Sequence, residues 1–383
     1  MSKQDVIICR NLETDLQQAV AQCPHDKLFI LTDEHTHQYC LPLLEQLPFL
    51  KNATEICIGA EDVHKNLDTL SEVWNALSTQ GATRHSLMIN LGGGMVTDLG
   101  GFAAATFKRG IQMINIPTTL LAMVDASVGG KTGINFNGLK NEIGVFASAS
   151  SVLIDCNFLK SLDHANILSG YAEMLKHGLI SQPEHWSELV CFDMEHIDYT
   201  HLQTLVGQSV AIKENIVEQD PFEKGIRKAL NLGHTIGHAF ESFALKKGQP
   251  VLHGYAVAWG IVCELYYSHL KVGFPKEQMR QTISFIKENY GKLPFSCKDY
   301  ETLYELMKHD KKNTSAETVN FTLLGGIGDI RINQTASKEE IFDILQDAMA
   351  FSCSQSDWQF PNKVLIANLF FEPSTRTHYS FAS

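Results

Sequence analysis

The stretch SLMINLGGGMVTDLGGFAAATFKRG (Ser86–Gly110) decides the fold class. Its apolar opening, Ser86–Leu91, has the length of a buried strand and stops at three consecutive glycines, Gly92–Gly94. The residues that follow read as a helix. A strand, a glycine turn and a helix form the repeating unit of a parallel sheet covered by helices. Neighbouring segments fit the same pattern. Lys27–Leu31 is an apolar run ending at Thr32-Asp33, and Thr54–Ile58 is another ending at Gly59. Leu67, Leu70, Val73, Trp74 and Leu77 recur at helical spacing, and Gln112–Ile116 is a strand closed by Pro117. The expected fold is α/β, opening with a Rossmann-like parallel sheet.

The texture changes near residue 160. Long amphipathic stretches then dominate: Ala165–Ile180, His201–Glu218, Ala229–Leu245, His253–Leu270 and Pro275–Tyr290. One hairpin is expected late, with Thr318–Leu324 and Ile327–Ile332 joined by Gly325-Gly326. The expected organisation is an α/β domain over 1–160, a mainly helical domain over 161–350 and a tail of different composition over 351–383. Hydrophobic residues make up 44% of the 383 and charged residues 19%, enough apolar material for two cores and too much for disorder. A formal charge of −12 disfavours a nucleic-acid partner. The nine cysteines are scattered with no C-x-x-C, which fits reduced thiols. The N-terminus lacks the apolar core of a signal peptide, and no run is long enough to span a bilayer, so a cytoplasmic protein without a membrane partner is expected.

Four constellations carry chemistry. Gly92–Gly94 would let a phosphate approach the backbone at a helix N-terminus, although Thr97 stands where G-x-G-x-x-G needs its third glycine; a tight packing turn is the alternative. Asp33 suits a ribose hydroxyl or a helix N-cap equally. The second group, Asp125, Gly129-Gly130-Lys131-Thr132 and Lys140-Asn141, sets lysines among small residues, suited to an anion, or else is a solvated loop. The third is Gly233-His234-Thr235-Ile236-Gly237-His238, with imidazoles at i and i+4 on one helical face. His253 follows in Leu252-His253-Gly254, and Glu173 precedes in Ala172-Glu173-Met174. Two histidines and a carboxylate are a usual catalytic zinc set, but spacing alone leaves open whether His238 is a ligand or a neighbour. H-E-x-x-H is absent, which excludes that metalloprotease pattern. The fourth group mixes Lys213, Asp220, Glu223 and Arg227, whose default reading is a solvent face.

At these residues the chain resembles the 3-dehydroquinate synthases. The matching strings are GGGMVTDLGGFAAATFKRG (Gly92–Gly110), PTTLLAMVDASVGGKTGIN (Pro117–Asn135), GLKNEIG (Gly138–Gly144), SGYAEMLKHG (Ser169–Gly178), DPFEKGIRKALNLGHTIGHAFE (Asp220–Glu241), LHGYAVAWG (Leu252–Gly260) and HDKKN (His309–Asn313). The likeness covers residues 1–350. It implies an NAD-binding first domain and a helical second domain holding zinc or cobalt through Glu173, His234 and His253. It implies NAD contacts from Asp33, Glu61, Lys65, Gly93, Gly94, Met95, Asp98, Thr118, Thr119, Lys131, Lys140 and Ser161. It assigns catalytic roles to His238, Glu223, Lys176, Lys131 and Arg227. Substrate contacts fall to Asp125, Asn141, Lys213, Asn231, Lys311 and Lys312, and to Arg109 reaching across a homodimer. Two departures stand out: the Ala60–Lys65 segment is loose, and Tyr255 replaces the more usual Glu.

The implied substrate is 3-deoxy-D-arabino-heptulosonate 7-phosphate. The implied reaction oxidises its C5 hydroxyl, eliminates phosphate next to the new ketone, reduces that ketone again and closes the ring by an aldol step. A metal-dependent polyol dehydrogenase is a rival that would release NADH. Cyclases of other sugar phosphates are a second rival; their substrates lack the carboxylate that Lys213 and Arg227 suit. Near the end, Val364–Thr377 resembles the carbamoyl-phosphate loop of aspartate and ornithine carbamoyltransferases, but the sequence continues only to Ser383, so no transferase activity is expected and the tail is expected to pack poorly.

Overall fold

The computed structural model describes residues 4–137, 139–292, 295–308 and 318–352. The first half runs β1 (Asp5–Ile8), α1 (Leu12–Ala21), β2 (Leu28–Asp33), α2 (Glu34–Tyr39), α3 (Leu41–Glu45), β3 (Thr54–Ile58), α4 (Leu67–Thr79), β4 (Leu87–Gly92), α5 (Gly94–Thr106), β5 (Gln112–Pro117), β6 (Lys131–Phe136), β7 (Leu139–Phe146) and β8 (Ser151–Ile154). Six strands form one sheet in the order β1-β8-β5-β4-β2-β3. Every pairing in it is parallel. β2, β4 and β8 are buried along their whole length, because helices cover both faces of such a sheet. All the carboxyl ends therefore share one edge, where Asp33, Gly92 and Pro117 stand. The chain moves outward from β2 to β3 on one side and from β4 to β5 on the other. The switch lies between β2 and β4, where such sheets leave a ligand crevice.

The sequence reading missed β1 and β8, each only four residues long. It also took Gly129–Asn141 for a glycine-rich loop. The structure corrects this to an antiparallel ribbon of β6 and β7, with Lys131 paired to Phe146 and Thr132 to Val145. β7 is exposed throughout, so it carries no apolar face for a period-2 pattern to mark.

The second half runs α6 (His164–Leu179), α7 (Pro183–Val190), α8 (Tyr199–Gln219), α9 (His234–Lys246), α10 (His253–Val272), α11 (Lys276–Tyr290), α12 (Tyr300–Lys308), β9 (Val319–Gly326), β10 (Asp329–Ala336) and α13 (Lys338–Ser352). α6 and α10 are buried along most of their length and form the middle of this half. The helix expected from Ala229 begins instead at His234, because Gly233 takes a left-handed φ of 77° that ends the preceding 3-10 turn. Glu264, buried on α10, caps the new start by accepting from the backbone N–H groups of Gly233 (2.6 Å) and Ile236 (3.2 Å). The late hairpin forms, but it turns at Ile327-Gly328, two residues beyond the expected glycine pair, and Gly328 supplies the positive φ of 78°. The cysteines among the described residues are all free, and no helix there is long and apolar enough to cross a membrane. Residues 353–383, including the carbamoyltransferase-like string, lie outside the described residues.

Candidate active site

Three helices deliver the metal-ligand candidates. Glu173 sits mid-way along α6, His234 is the first residue of α9 and His253 the first of α10. One ligand atom from each lies within 4.8 Å of the others. Glu173 Oε1 is 3.2 Å from His234 Nε2 and 3.4 Å from His253 Nε2. Neither carboxylate oxygen takes a well-aligned hydrogen bond, although both are fully buried. Zinc with N and O bonds of about 2.0–2.2 Å spaces tetrahedral ligands roughly 3.3–3.5 Å apart. The three residues therefore fit a shared ion.

Both imidazoles are oriented from behind. His234 Nδ1 lies 3.1 Å from the carbonyl of Leu232, and His253 Nδ1 lies 3.2 Å from Glu241 Oε2. A donor Nδ1–H leaves the Nε2 lone pair free for a cation. Burial holds His234 down at about 4, against the opposing pull of Glu173. Burial also disfavours charge on Glu173, but Lys176 and then His234 hold its carboxyl well below the usual carboxylate range. His238 is near, its ring centre 5.3 Å from that of His234 and 6.0 Å from that of His253, yet it is outside the ligand trio. A second trio, His37, Glu55 and Cys57, is exposed on the far sheet edge, and Glu55 already accepts from Thr32 and contacts His37, both at 2.7 Å.

Charged residues surround the trio. A π-helical turn over Ala122–Ala126 presents Asp125, whose carboxylate pairs with Lys213 of α8 at 2.5 Å. Burial works against Asp125's charge, yet Lys213 holds its carboxyl well below the ordinary range, so the pair is ionic. Lys176 is buried against Glu173. Glu223 is gripped from two sides, by Lys131 of the ribbon (2.8 Å) and by Asn231 Nδ2 (3.0 Å). Asp220 shapes that loop by accepting from the backbone of Lys224, Gly225 and Arg227, and the Arg227 guanidinium donates to the Pro221 carbonyl. Lys131, Lys176, Lys213 and Arg227 thus face Asp125, Glu173, Asp220 and Glu223, and a divalent cation would tip this balanced group to net positive. Such a site suits a ligand with more than one negative charge.

At the sheet edge, Gly93 is the N-cap of α5 and has no side-chain cap bond; a Cβ there would meet Thr119 Cγ2 at 3.0 Å. The helix N-terminus is thereby left to backbone donors, as a phosphate requires. Lys65 is buried with Nζ 2.5 Å from both Asp98 Oδ2 and Asn141 Oδ1, which joins two cofactor candidates to a substrate candidate. Asp33 caps α2 through a reciprocal bond pair with Thr36, so its helix-cap role is realised. Thr118 and Thr119 follow β5, Met95 lies in the first turn of α5, and Ser161 ends the turn after β8. The candidates Glu61, Arg109, Asn141 and Glu223 have positive φ, between 51° and 72°, as do Lys108, Asn137 and Asn333 at 49° to 57°, which are not candidates. Arg109 is exposed beyond the C-terminus of α5, about 20 Å of helix from Gly94. Lys311 and Lys312 lie outside the described residues. Tyr255 packs edge-on against Tyr290 at 5.1 Å.

The sequence reading gave no role to Glu241, although it lies three residues after His238 on the same helical face. Nor did it weigh His177, buried on α6 with no aligned partner on either ring nitrogen among the described residues. Burial first, then Lys176, pushes this imidazole down to about 3. Because the folded value lies below the unfolded one, the unfolded chain binds more protons between pH 6.5 and 3, and stability falls as pH falls through that window. At pH 5 His177 alone should cost about 2 kcal/mol. Urea unfolding at pH 7.5 and 5 should show a shallower pH dependence in His177→Leu; an unchanged slope would refute the assignment.

Residues 55–169 match the family model for the 3-dehydroquinate synthase N-terminal region, and residues 170–313 match the one for the C-terminal region. A 3-dehydroquinate synthase of Parabacteroides distasonis is 58% identical over 345 residues, covering 90% of this chain and 98% of that relative. Among solved structures, the 2-epi-5-epi-valiolone synthase ValA of Streptomyces hygroscopicus, with NAD+ and Zn2+ bound, superposes with a TM-score of 0.79 at 24% identity, covering 91% of this chain and 98% of that one. A 2-deoxy-scyllo-inosose synthase complexed with carbaglucose-6-phosphate, NAD+ and Co2+ gives 0.78 at 21% identity, covering 88% and 95%.

Proposed function

The chain belongs to the 3-dehydroquinate synthase family, and we propose how its own residues divide the work. The activity is that of a 3-dehydroquinate synthase, a phosphorus–oxygen lyase dependent on NAD and a divalent metal, in the shikimate route to aromatic amino acids. It converts 3-deoxy-D-arabino-heptulosonate 7-phosphate to 3-dehydroquinate and phosphate. The observation that carries the division of labour is the shared approach of Glu173, His234 and His253.

In this reading those three residues hold zinc or cobalt, both of which accept N and O donors. When bound, the ion polarises the substrate hydroxyls, and the nicotinamide takes and returns one hydride. Gly93, Gly94 and Met95 bind the dinucleotide phosphates through backbone N–H groups; Asp33, Glu61, Lys65, Asp98, Thr118, Thr119, Lys140 and Ser161 complete that cradle. Lys213, Arg227 and Asn231 fix the carboxylate end of the substrate, with Lys311 and Lys312 assigned to the same ligand. Asp125 holds Lys213 in place. His238 receives the hydroxyl proton on a ring nitrogen, and Lys176 keeps the neighbouring carboxylate ionised. Glu223, set between Lys131 and Asn231, accepts the proton lost beside the ketone. Arg109, remote from this cluster in its own chain, serves the substrate phosphate of a partner subunit, so a homodimer is part of the reading. The domains divide at residue 160 into a cofactor part (1–160) and a metal and substrate part (161–350). The cytoplasm is the proposed location, in keeping with the free cysteines.

The test is phosphate release from the heptulosonate phosphate with catalytic NAD, before and after chelation. Release should require metal and leave no net NADH. Steady growth of NADH, or release indifferent to chelation, would overturn the reading. Within it, His238→Ala should retain bound metal and lose turnover by about 10²–10⁴-fold, the range for a general acid–base group. Metal loss in that variant would make His238 a ligand instead.

A further inference from the structure

We propose that Glu241 is the positioning residue for His253, and that Lys140 locks it in that role from the other half of the molecule. The inference rests on Glu173, His234 and His253 being the metal ligands.

The two imidazoles solve the same problem differently. His234 finds the Leu232 carbonyl two residues away, so its own turn fixes its ring. His253 opens α10 at Leu252, a residue with no side-chain cap. Its Nδ1 lies 3.2 Å from Glu241 Oε2, a carboxylate brought by a different helix. Glu241 stands seven residues after His234 on α9, two helical turns along the same face. One helix therefore presents a ligand directly and orients the other ligand through a second residue.

A carboxylate there does two things. Accepting from Nδ1–H fixes the ring so that Nε2 is the nitrogen aimed at Glu173, where a cation would displace its proton. It also makes that nitrogen a stronger donor to a cation. Glu241 must itself be kept from swinging in as a competing ligand. Its other oxygen, Oε1, is held by Lys140 Nζ at 2.7 Å, with Asp62 Oδ2 3.6 Å from the same ammonium. Glu241 is 15% exposed and Lys140 53%, so the carboxylate is sheltered and the lysine closes it off from solvent. Lys140 belongs to β7, the exposed strand of the ribbon. The chain Asp62–Lys140–Glu241–His253 thus runs from the sheet half of the protein to the trio.

Metal affinity, not turnover, is the direct readout. Metal-depleted wild type, Glu241→Ala, Glu241→Gln, Lys140→Met and Glu173→Ala would be titrated with Co2+, followed by its visible absorption, and with Zn2+ against a competing chelator. Circular dichroism would check folding. Glu241→Ala should bind 10–100-fold more weakly, with a changed Co2+ spectrum, because the His253 ring is released. Glu241→Gln, whose amide oxygen still accepts from Nδ1–H, should recover part of that loss, and it carries the test if the alanine variant does not fold. Lys140→Met should fall between wild type and Glu241→Ala. Wild-type affinity and spectrum in a folded Glu241→Ala or Glu241→Gln protein would overturn the proposal. Tight binding by Glu173→Ala would instead overturn the ligand set beneath it, so the two failures are distinct.

Discussion

Replacing Glu173 by alanine should remove the metal and with it about three orders of magnitude of turnover, and should also destabilise the fold. The first effect follows from the trio: no other carboxylate shares its grouping of ligand atoms among the described residues. Loss of a Lewis acid costs several kcal/mol of transition-state stabilisation, and each 1.36 kcal/mol is about tenfold in rate. The second effect has a different cause. Lys176, only 1% exposed, pairs with Glu173, and removing one partner of a buried pair costs about 3–5 kcal/mol because the other charge is stranded. The two effects separate in a second variant. Glu173→Ala with Lys176→Met should regain most of the stability, read by urea unfolding, and none of the metal, read by elemental analysis. Metal returning to the double variant would show that Glu173 acts only as a counter-ion.

How much of this was legible in the sequence depended on whether a residue's partner lay nearby in the chain. β4 was readable because Leu87–Gly92 is an uninterrupted apolar run buried on both faces. His234 and His238 were readable because helical spacing alone puts them on one face. The start of α9 was misread because the apolar period runs on through Gly233, whose backbone conformation a hydrophobic pattern does not encode. The ribbon was misread because β7 has no buried face to leave a pattern. Asp125–Lys213 and Lys131–Glu223 join residues 88 and 92 positions apart, so only the tertiary fold reveals them as pairs. Residue types marked both groups, but spacing alone left a solvated loop open for Asp125 and Lys131 and made a solvent face the default for Lys213 and Glu223. The resemblance supplied their roles. It supplied none for Glu241, which only the geometry around His253 brings out.

Gly254→Ala, a change of one methyl group outside the ligand set, should cost the protein its metal as surely as losing a ligand. A Cβ at Gly254 would lie 1.8 Å from the carbonyl oxygen of Ser169 and 2.5 Å from that residue's carbonyl carbon and Cα. All three are backbone atoms of α6, so no side chain can turn aside. Relief requires α10 and α6 to part by more than an ångström, breaking the Gly254 N–H bond to Ser169 Oγ at 3.0 Å. Ser169 lies one turn before Glu173, and Gly254 immediately follows His253. The displacement therefore falls on two ligands at once, whereas a metal site tolerates only about 0.2 Å. The opposite side of α10 offers no room: a Cβ on Gly260 would lie 2.0 Å from the Gly233 carbonyl oxygen, and one on Gly237 would lie 2.9 Å from that of Ala256. α10 is wedged between the two helices that carry the other ligands. Overpacking of this kind costs about 1–3 kcal/mol and sometimes more, and a backbone-to-backbone clash belongs at the upper end. His253→Ala should lose metal but keep stability near that of the metal-free wild type. Gly254→Ala should lose both. Gly326→Ala, with nothing within 4 Å, should lose neither. A Gly254→Ala protein that binds zinc like the wild type would mean that close helix contact does not set the spacing of Glu173 and His253.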